Sequence, residues 1–360
     1  LMIIQDFTAN EVTNKIDEIS FSWESPSNIA LVKYWGKNHD QTPKNSSISF
    51  TLSNCTTKTS ILFKRIDKTS ENIDFDLIFD GKKNTSFRPK IVKFFSMIQE
   101  YCPYLKDYHL LISSSNSFPH SSGIASSASS MSALSLCIMS LEKKLTLIDD
   151  DYFFKKASFI SRIGSGSACR SVYGGVNFWG KHKELNNSSD LYSVKLSKNI
   201  SPKFNNYRDV ILIIDDKEKE VSSSVGHGLM NDNPFSKVRF NAANNNITKL
   251  LQILASGNLN DFCELVEGEA LMLHSLMMNS NPSYILMKPE TLEVIERIQD
   301  FRENSKIPVC FTLDAGANVH VLFPENFSKE VMTFIEKELA PLCKGGKFIK
   351  DSIGEGPKQF

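Results

Sequence analysis

Between residues 107 and 143 the chain changes its period. Residues 107–113 form a short apolar run that reads as a strand. Residues 114–123 carry no apolar repeat. From about 124 to 143, Ala128, Met131, Leu134, Ile138 and Leu141 recur at helical spacing. A strand feeding a helix through a short loop commits this stretch to a mixed architecture, with Pro119-His-Ser-Ser-Gly-Ile-Ala-Ser-Ser-Ala128 at the helix start. Unpaired N–H groups and a positive dipole end gather at such a point. Gly123 permits a tight turn, small residues let a phosphate chain lie against the backbone, and serine hydroxyls can bond phosphate oxygens or a bound Mg²⁺. The G-x-x-x-x-G-K-S/T spacing is absent here and elsewhere in the chain. A serine-capped helix start that holds no ligand accounts for the same residues.

The rest of the chain is mixed without strict strand–helix alternation, which favours α+β over a doubly wound α/β sheet. Helices are expected at about 150–163, 235–256, 258–278, 289–304 and 327–340. Strands are expected at 171–179, 210–214, 309–313, 319–323 and 346–353. The polar stretch 181–206 marks a lobe boundary. At 360 residues the chain exceeds what one core usually fills, so we divide it into residues 1–200 and 201–360, with the strand at 346–353 returning to the first lobe. Lys+Arg and Asp+Glu both number 41, so there is no basic excess to bind nucleic acid or a membrane surface, and any anion site must be local. Seven scattered cysteines without a C-x-x-C pair indicate neither a disulfide framework nor zinc, and fit the reducing cytoplasm. No stretch approaches the roughly 20 apolar residues of a membrane span.

Two further segments invite chemistry. In Gly164-Ser-Gly-Ser-Ala-Cys-Arg170, amides and hydroxyls can share one concavity, and Arg170 can hold a carboxylate or phosphate bidentately. A flexible surface turn with a stray arginine is the bland alternative. In Asn28-Ile-Ala-Leu-Val-Lys-Tyr-Trp-Gly-Lys37, Lys33 and Lys37 flank two large aromatics, where a solvated lysine face is the ordinary explanation. His109, His227 and His274 lack metal-ligand spacing and read as surface or packed histidines. Met272, Met277 and Met278 read as core or a subunit contact.

Taken together, these segments resemble the diphosphomevalonate decarboxylases. The shared patterns are N-I-A-x-x-K-Y-W-G-K at 28–37, N-S-S-I-S-x-T-L at 45–52 and F-P-x-x-x-G-x-A-S-S-A at 118–128. They continue with G-S-G-S-A-C-R-S-x-Y-G-G at 164–175, V-S-S at 221–223, D-A-G-x-N at 314–318 and the tail Ile353-Gly-Glu-Gly-Pro357. The chain departs from the family at His120, Ser121 and Ser122 (in place of Thr-Ala-Ala), Ile163 (a basic residue), Ser224 (Thr) and Ala317 (Pro). The bulkier, more polar loop at 120–122 bears on nucleotide affinity rather than on the chemistry.

The resemblance implies a GHMP-kinase-type fold, an ATP-binding lobe and a ferredoxin-like second lobe around one cleft. It implies ATP-dependent decarboxylation of mevalonate 5-diphosphate by a cytoplasmic homodimer, with ATP as co-substrate and Mg²⁺ as cofactor. By motif, Pro119, Ser122, Gly123, Ile124, Ala125, Ser126 and Ser127 serve ATP, with Ser127 on Mg²⁺. Tyr34, Trp35, Gly36, Lys37, Arg88, Ser165, Gly166, Ser167, Ala168, Cys169, Arg170 and Ser224 line the mevalonate diphosphate. Asp314 is the catalytic carboxylate, Lys37 the cation that holds it ionised, and Arg170 the clamp on the substrate carboxylate. Cys169 is read as a small packing residue, not a nucleophile. The rivals are a decarboxylase of the monophosphate, a relative that only phosphorylates the 3-hydroxyl, and a non-catalytic binder. The presence of Asp314, Lys37 and Arg170 together argues for decarboxylation.

Overall fold

The computed structural model describes residues 2–83, 86–118, 124–217 and 221–360. In chain order its first strands are β1 (Glu18–Val32), β2 (Ser47–Arg65), β3 (Asp74–Phe79), β4 (Lys82–Lys83), β5 (Tyr108–Asn116), β6 (Val176–Trp179) and β7 (Ser193–Leu196). These are followed by β8 (Arg208–Leu212), β9 (Cys310–Leu313), β10 (Val319–Phe323), β11 (Phe348–Ser352) and β12 (Lys358–Gln359). The helices are α1 (Arg88–Ile98), α2 (Ser126–Leu145), α3 (Asp150–Gly164), α4 (Ser223–Leu229), α5 (Ser236–Ser256), α6 (Leu259–Met278), α7 (Pro289–Ser305) and α8 (Ser328–Phe334).

Among the described residues the strands make two sheets. The larger runs β12-β1-β2-β5-β3-β4, with β6 on β2 and β7 on β6. The smaller is antiparallel and runs β11-β8-β10-β9. In β1 and β2, aromatic and β-branched residues suit a pleated, half-buried surface, and Phe21, Ile61 and Phe63 pack with Phe94 of α1, Leu134 and Ile138 of α2 and Phe159 of α3. A second core joins the lobes: Ile29, Leu31 and Phe50 of the large sheet meet Ile211 of the small one, Leu250 of α5 and Phe262 of α6. A third lies between the small sheet and α7 and α8. This is the expected α+β class. Among the described residues no helix is long and apolar enough to cross a membrane.

Three local differences from the sequence reading have physical causes. The stretch 171–179 is strand only from Val176, because a 3-10 turn occupies Gly166–Ser171. The helix near 327–340 ends as an α-helix at Phe334 and continues as a π turn, Ile335–Leu339. The strand at 346–353 pairs along most of its length with the second lobe. Its β11 takes the free edge of β8, pairing Asp351 with Asp209. Backbone pairing with the first lobe begins beyond β11, where Ile353 bridges Leu52 and β12 pairs with β1.

Candidate active site

A cleft of about 460 Å³ opens where the lobes meet. It gathers Tyr34, Trp35 and Lys37 from the exit of β1, Ala125 and Ser127 from the start of α2, and Ser165, Gly166, Ser167 and Arg170 from the 3-10 turn. Ser224 of α4 and Asp314 of the β9–β10 turn complete it.

The backbone explains the convergence. Strand β1 carries two register shifts against β2, the second between Ala30 and Val32. A bulge bends a strand and re-aims the side chains beyond it, here Lys33. Gly36 follows at φ +96°, a conformation glycine takes at no steric cost, and donates its N–H to His227 Nδ1 at 2.9 Å. In a 3-10 turn residues i and i+3 eclipse, so Ser167 and Arg170 present themselves together. Ala168 and Cys169 turn the other way into the core, both fully buried. They do not line the cleft, and Cys169 is the packing residue expected.

Arg170 is 2% exposed. Its Nη1 donates to Ser47 Oγ at 2.6 Å and its Nε to Asn28 Oδ1 at 3.3 Å, so two of the sequence motifs serve to orient it. Gly166 must be small: a Cβ there would meet the Tyr34 hydroxyl at 2.6 Å. That hydroxyl is itself buried at the cleft without a hydrogen-bond partner among the described residues.

The lysine beside Asp314 is Lys33, not Lys37. Lys33 Nζ lies 3.5 Å from Asp314 Oδ1 and donates to the Ala30 carbonyl at 2.6 Å. Lys33 is 1% exposed, while the Asp314 side chain keeps 29% of its surface and remains reachable. Burial lowers the Lys33 pKa, and the charges of Asp314 and Glu269 act against that. Lys37 is a cleft residue whose Nζ bonds Gln41 Oε1 at 2.7 Å. Its pKa is lowered by burial and then by the neighbouring charge of Lys93.

Arg88 does not reach the cleft. It is exposed, donates to the Phe75 carbonyl at 3.0 Å and lies over the Phe75 ring. The cations that α1 contributes are Lys90 and Lys93, which the sequence reading missed. Lys33, Lys37, Lys90, Lys93 and Arg170 thus face one carboxylate, Asp314, among the described lining residues. In a neutral chain this is a local concentration of positive charge.

At the start of α2 the serine cap is not what forms. The N-cap is Ala125, at φ 43° in the left-handed region, and among the described residues no side chain caps the helix. A strained non-glycine residue ahead of uncapped N–H groups suits an anion site. Ser127 Oγ lies 3.1 Å from Ser165 Oγ, so the two small-residue loops touch. Ile124 is buried in the core, its carbonyl accepting from Ser27 Oγ, and does not face the cleft. Ser126 opens instead onto an adjoining apolar slot of about 100 Å³, lined by Leu77, Phe79, Phe87, Ile112 and Met131. Ser127 and Lys90 belong to both cavities. Pro119, Ser122 and Gly123 lie outside the described residues.

Among the described residues no cluster of three His, Cys, Asp or Glu could hold a metal. A Mg²⁺ carried by phosphates needs only one or two protein oxygens, and the facing hydroxyls of Ser127 and Ser165 fit that role.

The model of the diphosphomevalonate decarboxylase-like N-terminal domain matches residues 25–191, and that of the mevalonate 5-diphosphate decarboxylase C-terminal domain matches residues 209–358. The diphosphomevalonate decarboxylase of Candida albicans is 26% identical, over 94% of this chain and 98% of its own. The crystal structure of mevalonate diphosphate decarboxylase from Staphylococcus aureus is 26% identical with a TM-score of 0.81, covering 95% of this chain and 98% of that one. MDDEF in complex with MVAPP, AMPPCP and magnesium is 25% identical, also at 0.81, covering 95% and 99%. These structures share the two-lobed GHMP-kinase fold expected from the motifs. Since both of its halves match the models of one enzyme and its fold follows theirs end to end, the chain belongs to the diphosphomevalonate decarboxylase family.

Proposed function

We propose that the chain converts mevalonate 5-diphosphate and ATP into isopentenyl diphosphate, ADP, phosphate and carbon dioxide, with Asp314 as base and Lys33 as its partner. The observation that carries this reading is the buried Lys33 ammonium 3.5 Å from a solvent-reachable Asp314 carboxylate, beside Arg170 in a cationic cleft. MDDEF binds MVAPP, AMPPCP and magnesium, and the same ligands suit the cleft described here.

A tertiary 3-hydroxyl is a poor leaving group. Asp314 orients it and accepts its proton as the γ-phosphoryl of ATP is transferred, positioning being most of what a protein supplies in phosphoryl transfer. The C–O bond to that phosphate then breaks. The electrons of the bond to the carboxylate become the double bond, and carbon dioxide leaves. Arg170 holds the carboxylate as a planar fork, and Lys33 balances Asp314 without the freedom to move away. Lys37, Lys90 and Lys93 meet the diphosphate tail. Ser127 and the N–H groups at the start of α2 meet the ATP phosphates, the apolar slot offers a place for the base, and a Mg²⁺ held by the Ser127 and Ser165 hydroxyls would neutralise phosphate charge. The reading extends to a cytoplasmic homodimer, which rests on the family resemblance.

Asp314→Asn tests this. The amide keeps the shape of the turn and cannot accept the proton, so turnover should fall by about 10²–10⁴-fold while a titration still detects mevalonate diphosphate. Phosphate and carbon dioxide release are measured with the mono- and diphosphate separately. Near-normal turnover by the variant sinks the assignment of Asp314, and preference for the monophosphate sinks that of the substrate.

A further inference from the structure

Lys33 is held by its main chain as firmly as by its side chain. Its N–H donates to Glu269 Oε2 at 2.9 Å, and its carbonyl accepts from Arg239 Nη2 at 3.0 Å and Asn45 Nδ2 at 2.9 Å. Glu269 is fully buried. Its carboxylate also receives Arg239 Nη1 and Nη2, at 2.9 and 2.7 Å, and Asn246 Nδ2 at 2.6 Å. Five residues further along the same helix, His274, 1% exposed, places Nε2 3.0 Å from the Asp314 carbonyl oxygen. One rigid element, α6, therefore grips the backbone of both Lys33 and Asp314. On a helix, five residues advance by about 7.5 Å, a spacing that thermal motion hardly alters.

We propose that Glu269 is a positioning residue for the decarboxylation, fixing the Lys33 ammonium against Asp314 and supplying the second negative charge that keeps it there. The charges facing Lys33 make the case. Asp314 comes from the β9–β10 turn and Glu269 from α6, against two further cations, Arg239 of α5 and Arg170 of the 3-10 turn. Without Glu269, Lys33 loses one of the two carboxylates whose charge opposes its burial, a loss that removing Arg239 as well does not make good. An ammonium so enclosed sheds its proton or withdraws from its place. Burial already lowers the Lys33 pKa, and Glu269 is one of the two charges that oppose it.

The inference rests on the assignment of Asp314 and Lys33 to the reaction, so Asp314→Asn is measured alongside. Glu269→Gln keeps the size and one acceptor oxygen but removes the charge. Glu269→Gln with Arg239→Gln removes both charges and leaves no buried ion unpaired, which protects the fold. For Glu269→Gln the expected result is a turnover loss of about 30-fold or more with both Michaelis constants within about threefold, as removal of a preorganised charge predicts. Its activity should also fail at lower pH than in the parent enzyme, because Lys33 then deprotonates earlier. The double variant should recover the melting temperature and not the turnover. If the double variant regains both, Glu269 serves only as the counter-ion of Arg239 and the proposal fails. It fails equally if Glu269→Gln keeps the parent's turnover and pH profile while Asp314→Asn is inactive. Full turnover by Asp314→Asn would instead overturn the underlying assignment, whatever Glu269 does.

Discussion

Two lysines four residues apart have separate tasks, and their environments say which. Lys33 is enclosed with Asp314, while Lys37 stands on the cleft wall held by Gln41. Lys33→Met should lower turnover by about 10²–10³-fold, the usual loss when a preorganised charge leaves a dry site. Lys37→Met should act mainly on the Michaelis constant for mevalonate diphosphate, raising it about tenfold or more as a charge-assisted hydrogen bond is lost. Steady-state kinetics on the two variants separates these outcomes, and the reverse pattern would restore the original assignment of Lys37. Both lysines were visible in the sequence beside Tyr34 and Trp35, but their roles were not. What buries Lys33 is Glu269 and Arg239, more than two hundred residues away, and no local spacing carries that information. Arg88 was misplaced for a different reason. The cation-bearing helix went unread, although Ile91, Phe94, Phe95 and Ile98 recur at helical spacing and put Lys90 and Lys93 on another face.

At the scale of elements, the loops were legible because they lie where glycine and serine are required, at Gly36, Gly164–Ser167 and the start of α2. The short helix α4 was not, since seven residues including Gly226 and Gly228 carry no strong helical signal. It is seated by His227, whose ring packs between Tyr34 and Trp35 while Nδ1 accepts the Gly36 N–H. That role needs a neutral imidazole. Burial, then the charges of Lys37 and Arg170, brings its pKa down from 6.5 to about 3. Between those values the unfolded chain binds a proton that the folded one refuses, so stability rises with pH across this window and falls as pH drops below about 6.5. The slope from this one group is at most about 1.4 kcal/mol per pH unit. Urea titrations at pH 7 and pH 5 should show the loss, and His227→Asn, which keeps an acceptor near Nδ1 without a titrating ring, should flatten it. An unchanged pH dependence in that variant would mean that other groups set it.

Across the whole molecule, the lobes are joined by more than the shared core of Phe50, Ile211 and Phe262. Asp351 of β11, 2% exposed, accepts the N–H groups of Ser53 and Asn54 at 2.7 and 2.9 Å and of Cys55 at 2.8 Å, all from β2 of the other sheet. Asp351→Asn turns an acceptor pair into a half-donor facing N–H groups, and should cost about 2–3 kcal/mol. Calorimetry should show a single transition at lower temperature, whereas two separated transitions would mean that this joint couples the lobes and the common core does not. The same crossing governs how the chain is made. Strand β1 gains its outer neighbour only when Gln359 pairs with Trp23 and Lys358 with Glu24. At about 5–20 residues per second, synthesis leaves that edge bare for on the order of tens of seconds. A bare edge invites pairing between nascent chains, and β1 has what deters it: Glu18 and Glu24 along its length and Pro26, which offers no N–H.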